Sequence, residues 1–119
     1  MTIELISAPA ATAARIKMNQ GDVVTAEVGA MIAMSPEVEV ETTSRSRGGK
    51  GGILKGVKRL FSGENFFLNH FTSNADGREI ILGPKLIGDI AHHRLEHGSL
   101  IVQGSGWLAS VGTIEIDTT

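Results

Sequence analysis

The sequence predicts an all-β fold of the sandwich, barrel or β-helical roll kind, in one domain spanning residues 1–119. Three observations carry this expectation. Short apolar runs with β-branched residues alternate with Gly, Pro, Asn and Ser along most of the chain. Glycine occurs 15 times in 119 residues, well above the ordinary share of about 7%, which supplies many tight turns. A thirteen-residue pattern from the first half recurs at the carboxyl end.

In chain order, strands are expected over residues 3–6, 14–18, 23–28, 31–34 and 38–42. Asn19-Gln20-Gly21-Asp22 and Ser35-Pro36-Glu37 separate two pairs of these runs, and both are expected to form hairpin-like reversals. Residues 44–52, SRSRGGKGG, have no apolar side chain and read as a loop. The period then changes. Ile53, Leu54, Val57, Leu60 and Phe61 fall on one stripe of a helix near 53–61, with Lys55, Lys58 and Arg59 around it. Gly56 costs such a helix about 1 kcal/mol relative to alanine, so it needs tertiary support. Residues 66–72 carry Phe66 and Leu68 on one alternating face and Phe67 and Phe71 on the other, which predicts a central strand buried on both sides. Further strands are expected over 79–82, 89–95, 100–103, 107–110 and 114–117.

The echo sets residues 31–43, MIAMSPEVEVETT, against residues 107–119, WLASVGTIEIDTT. With one residue of slippage, Lys17-Met18-Asn19-Gln20-Gly21 also lines up with Arg94-Leu95-Glu96-His97-Gly98. A first copy over about residues 16–43 and a second over about 93–119 thus flank the basic Gly-rich loop and helix of 44–65. Repeated units of this kind contribute equivalent strands to a shared core. Nothing after Thr119 matches the loop, helix and Phe-rich strand that follow the first copy, so the chain is expected to be a short member or fragment of something longer, with an open edge available to a partner subunit.

Gly29-Ala30-Met31, Met34-Ser35-Pro36-Glu37-Val38, the Gly-rich loop with residues 54–60, Gly63-Glu64, Phe67-Leu68-Asn69, Phe71-Thr72 and Gly88-Asp89-Ile90 together resemble the family of altered inheritance of mitochondria protein 24. The resemblance runs over nearly the whole chain. It implies a shortened double-stranded β-helix, similar to the trp RNA-binding attenuation protein, and an oligomeric assembly. It brings no catalytic residues. The chain departs from the family at Ile87, where proline commonly precedes the Gly-Asp pair, and at Val111-Gly112-Thr113, which replaces a Pro-Gly turn.

Composition excludes several functions. There are no cysteines, so disulfides, thiolate metal sites and cysteine nucleophiles are all absent from this sequence. A net charge of -2 argues against a surface shaped throughout for nucleic acid. No apolar run reaches the ~20 residues of a membrane span and no signal peptide is recognisable, which points to the cytoplasm. Gly49-Lys50-Gly51 lacks the spacing of a phosphate loop, and Gly104-Ser105-Gly106 is too compact for a nucleophile elbow. No triad is evident; the protein is expected to be no enzyme and to need no cofactor.

Six of the 11 basic residues, Arg45, Arg47, Lys50, Lys55, Lys58 and Arg59, fall in one stretch without an acidic residue. This segment is the candidate contact for an anionic membrane or an acidic protein. Nucleic acid fits it poorly, since Phe61 is the only aromatic residue nearby and aromatic residues are 4% of the chain. His70, His92, His93 and His97 invite a metal reading, but adjacent His92 and His93 on a strand would point to opposite faces. Glu37, Glu39 and Glu41 would line one face of a strand and present either a cation site or a plain solvent face. The leading expectation is a self-associating scaffold or interaction module that touches an anionic partner through 45–61; the alternative is a small-ligand or metal-binding β-roll.

Overall fold

In a computed structural model that describes residues 1–45 and 66–116, the chain forms eight strands in two antiparallel four-stranded sheets. The strands are β1 (Thr2–Ile6), β2 (Ala13–Met18), β3 (Val23–Glu27), β4 (Met31–Met34), β5 (Val38–Arg45), β6 (Phe66–Ser73), β7 (Arg78–Leu82) and β8 (Ala109–Val111). One sheet has the order β1-β2-β7-β4 and the other β5-β6-β3-β8. The helix expected near 53–61 lies outside the described residues.

Two-residue alternation explains the core. In β2, Ala14, Ile16 and Met18 are buried while Arg15 and Lys17 face out. Register extends the inner side across the first sheet, where Ile3, Ile16, Ile80 and Met34 form one row and Leu5, Ala14, Leu82 and Met31 the next. Opposite them, Val111, Val24, Phe71 and Val40 form a row across the second sheet. Phe71, Met18, Val24, Ile80 and Leu82 are fully enclosed between the sheets. The central position expected for residues 66–72 is correct: β6 lies between β3 and β5. Its burial on both sides is partial, since Leu68 is buried on the outer face but Phe67 is 51% exposed on the inner one.

The two reversals expected as hairpins are corners instead. Asn19–Asp22 joins β2 to β3, and Ser35–Glu37 joins β4 to β5, yet the strands of each pair belong to different sheets. The corners are pinned by contacts beyond their own strands. Gly21, with φ of 88°, donates its N–H to Ser73 O at 2.9 Å, and Gln20 N–H donates to Asp76 Oδ1 at 2.9 Å. Ser35 N–H donates to Glu79 O at 2.9 Å, while Ser35 Oγ accepts Glu79 N–H at 3.0 Å.

After β7 the expectations fail more broadly. Residues 89–95, 100–103 and 114–116 form no strand, and the strand expected at 107–110 is the short β8. Strand formation needs a neighbouring ladder as well as an apolar run, and among the described residues of this region only 109–111 reach one, along β3. The preceding segment is held otherwise. Thr12 N–H donates to Gly88 O at 2.9 Å, and the buried Thr12 hydroxyl donates to Asp89 Oδ1 at 2.8 Å. The Gly-Asp-Ile stretch is thereby a clasp on the entry to β2.

The echo is structural only in part. Met31–Met34 and Ala109–Val111 both form edge strands, one in each sheet, and Gly21 and Gly98 both take positive φ, 88° and 72°. The second halves differ: Val38–Arg45 pairs with β6, whereas 114–116 is not in a strand.

Candidate functional site

Of the four edges of the two sheets, three are ill suited to further pairing. β1 carries Glu4, β5 carries Glu39 and Glu41, and β8 has three residues. β4 differs. Its sequence, Met-Ile-Ala-Met, has no charge, and all four residues are exposed, Ile32 by 62%. It pairs with β7 along one side only. A bulge at Ile32 shifts the register between Met31 and Ala33, so Ile32 stands out of the ladder. The Ser35 N–H bond to Glu79 fixes the last part of the strand against β7, leaving the outer side of β4 with no strand among the described residues.

The second sheet also exposes apolar side chains on its inner face. Val40 and Phe67, which share the inner side of the second sheet with Phe71, are 40% and 51% exposed. Beyond them the inner face turns polar, where Thr42 Oγ1 donates to Asn69 Oδ1 at 2.6 Å. The carboxyl-terminal segment adds Leu86, Ile87, Leu100, Ile101 and Val102, all exposed and none within a strand. Among the described residues these side chains add to the exposed aliphatic surface.

Of the basic residues, Arg45 closes β5, where its backbone is in register with Phe66, and Arg47, Lys50, Lys55, Lys58 and Arg59 lie outside the described residues. The β5–β6 ladder ends at this Arg45–Phe66 pair.

The histidines do not come together. His70 sits on the outer face of the second sheet, in register with Thr25 on one side and Glu41 on the other. Its Nδ1 is 3.0 Å from Thr25 Oγ1 and its Nε2 is 2.9 Å from Thr43 Oγ1, so both ring nitrogens are engaged by hydroxyls. Sequence reading missed this arrangement, although Thr25 and Thr43 at outward positions of the neighbouring strands were its signal. Ser110 continues the polar row across β8 and accepts the Trp107 indole N–H at 2.9 Å. His92, His93 and His97 are exposed and in no strand. Among the described residues, no three His, Asp or Glu side chains converge as a metal site would require. Glu39 and Glu41 share the outer face of β5, while Glu37 precedes the strand with its Oε1 3.0 Å from Arg78 Nε.

Two shallow depressions lie on the outer face of the first sheet, of about 180 Å³ and 170 Å³. Both fall below the roughly 300–1,000 Å³ of small-molecule sites. One is lined by Thr2, Glu4, Arg15, Lys17 and Glu79, the other by Ala33, Met34, Ser35, Glu79 and Ile81, so the second is the flank of the β4 edge. Among the described residues no helix is long and apolar enough to cross a membrane.

No curated protein and no solved structure shows significant similarity to the chain. The family comparison is positive and agrees with the residues quoted from the sequence. The sequence model of the mitochondrial biogenesis AIM24 family matches residues 3–119, and the chain belongs to that family.

Proposed function

We propose that this protein is a non-enzymatic, self-associating scaffold or interaction module, using an apolar sheet edge for assembly and its basic 45–61 segment for an anionic partner. The observation that carries the assembly half is β4, an uncharged edge strand exposed along its whole length. A free ladder side with apolar flanks is a template for another strand. In the same reading, the passage of the chain from one sheet to the other at most of its connections supports the roll implied by the family resemblance.

The anionic half rests on charge alone. The stretch from Arg45 to Arg59 carries six positive charges and no negative one, in a chain whose net charge is -2. Each such charge near an anionic surface contributes about 1 kcal/mol, an effect that salt screens. The small-ligand or metal alternative has less support, because the histidines are dispersed and the depressions are small.

Light scattering on the purified protein tests assembly. A mass well above that of one chain, falling on dilution, is expected; a strict monomer at high concentration removes that half. Co-sedimentation with phosphatidylserine-containing vesicles tests the other half. Binding should weaken as salt rises, and equal binding to neutral vesicles would exclude an electrostatic contact.

A further inference from the structure

Resting on the self-association reading, we propose that the occupant of the β4 edge is the Leu100–Val102 segment of a second copy of this chain, added as an extra strand. Three observations converge on that occupant. The sequence of residues 99–103, Ser-Leu-Ile-Val-Gln, is strand-forming, yet among the described residues it finds no ladder. Leu100, Ile101 and Val102 are 54%, 85% and 45% exposed. Gln103, which closes the segment, has φ of -56° and ψ of 141°, an open polyproline II backbone without internal hydrogen bonds that leaves its polar groups free for a ladder.

Length and charge match. Five residues at about 3.3 Å each span roughly 17 Å, enough to cover the four residues of β4. No charged residue occurs between His97 and Glu115, and none between Val28 and Glu37, so neither surface repels the other or requires a charge to be desolvated. Gly98 on one side and Gly104 and Gly106 on the other bracket the segment with backbone freedom to align it. Val102 is already in close contact beside Gly106, whose added Cβ would lie 3.2 Å from Val102 Cγ1. Leu100 and Ile101 are then the two side chains offered outward.

In its own chain the segment does not lie in the β4 ladder; it leads into β8, whose entry is held along β3 by the Glu27 N–H bond to Leu108 O at 3.0 Å. Donor and acceptor are different surfaces of the chain, so copies can exchange the contact reciprocally in a pair or pass it onward in a ring or row. Each junction covers Met31, Ile32 and Met34 of one copy with Leu100, Ile101 and Val102 of the next, on the order of 100 Å² of apolar surface per side chain.

The absence of cysteine makes the test clean. Single variants Ala33→Cys and Met31→Cys are mixed pairwise with Leu100→Cys, Ile101→Cys or Val102→Cys and oxidised gently. Disulfide-linked pairs in the mixtures, absent when each variant is oxidised alone, are expected. In parallel, Ile101→Asp should weaken association at least tenfold while leaving far-UV circular dichroism and thermal midpoint unchanged, because the side chain is exposed in the single chain. Oligomers that cross-link only through Ala33→Cys or Met31→Cys alone, or that tolerate Ile101→Asp, would overturn the donor assignment and leave self-association standing. A protein that is monomeric throughout would overturn both.

Discussion

The clasp between Thr12 and Asp89 permits a quantitative test of how the segment after β7 is held. The Thr12 hydroxyl is buried with its residue 3% exposed, whereas Asp89 is exposed. The two ends of the 2.8 Å bond therefore respond differently to truncation. Asp89→Ala strands a buried hydroxyl and also removes the acceptor of Ile90 N–H, 2.9 Å away. Leaving such a donor unsatisfied costs about 1–3 kcal/mol. Thr12→Val keeps the shape and removes the donor, while the carboxylate regains water; the cost is about 0.5–1.5 kcal/mol. The double variant has no buried hydroxyl left to strand, so its cost should not exceed that of Asp89→Ala, giving a coupling of about 1 kcal/mol. Urea unfolding at constant slope measures all three. With a midpoint shift near 4 °C per kcal/mol for this size, Asp89→Ala should lower the thermal midpoint by about 4–12 °C. Strictly additive costs, or a larger loss from Thr12→Val than from Asp89→Ala, would refute the clasp.

Other predictions follow from single residues. Phe71→Ala opens a cavity at the centre of the core and should cost about 3–5 kcal/mol by chemical denaturation, a large part of the stability of a domain this size. Gly77, with φ of 71° and open space where a side chain would go, should lose about 1 kcal/mol on Gly77→Ala from backbone strain alone, measured as a thermal shift of a few degrees. His70→Phe removes both threonine contacts on a half-buried outer face, where water can replace them, and should cost about 1 kcal/mol by urea unfolding; a loss as large as that of Phe71→Ala would show that the histidine organises the sheet.

Much of the fold was legible because period-two burial writes itself into the sequence. Residues 31–34 were bounded correctly, and 14–18, 66–72 and 79–82 each fell within one residue of the observed ends, since Ala14, Ile16, Met18, Ile80 and Leu82 alternate with polar or less buried neighbours. What alternation cannot reveal is the partner. Leu100-Ile101-Val102 has the same local preference as Val23–Glu27, but only the latter meets ladders on both sides. The two corners were misread for the same reason: turn chemistry at Asn19–Asp22 marks a reversal of direction without saying which sheet receives the next strand. At the candidate site, the uncharged β4 was visible as a run, and its position at an edge was not. The six basic residues were selected by charge, and five of them lie outside the described residues.

The shuttling of the chain between layers also bears on how it reaches its folded form. Apart from the β1–β2 and β5–β6 pairs, every ladder joins strands that are not consecutive, and β2 meets β7 only after about half the chain has intervened. During synthesis, the amino-terminal strands must wait for Phe71 and Ile80 to emerge before either layer can close over the other. Folding should therefore be late, concerted and comparatively slow, on the millisecond-to-second scale of non-local β topologies. The interval before closure is when an uncharged strand such as β4 is most exposed to unwanted neighbours.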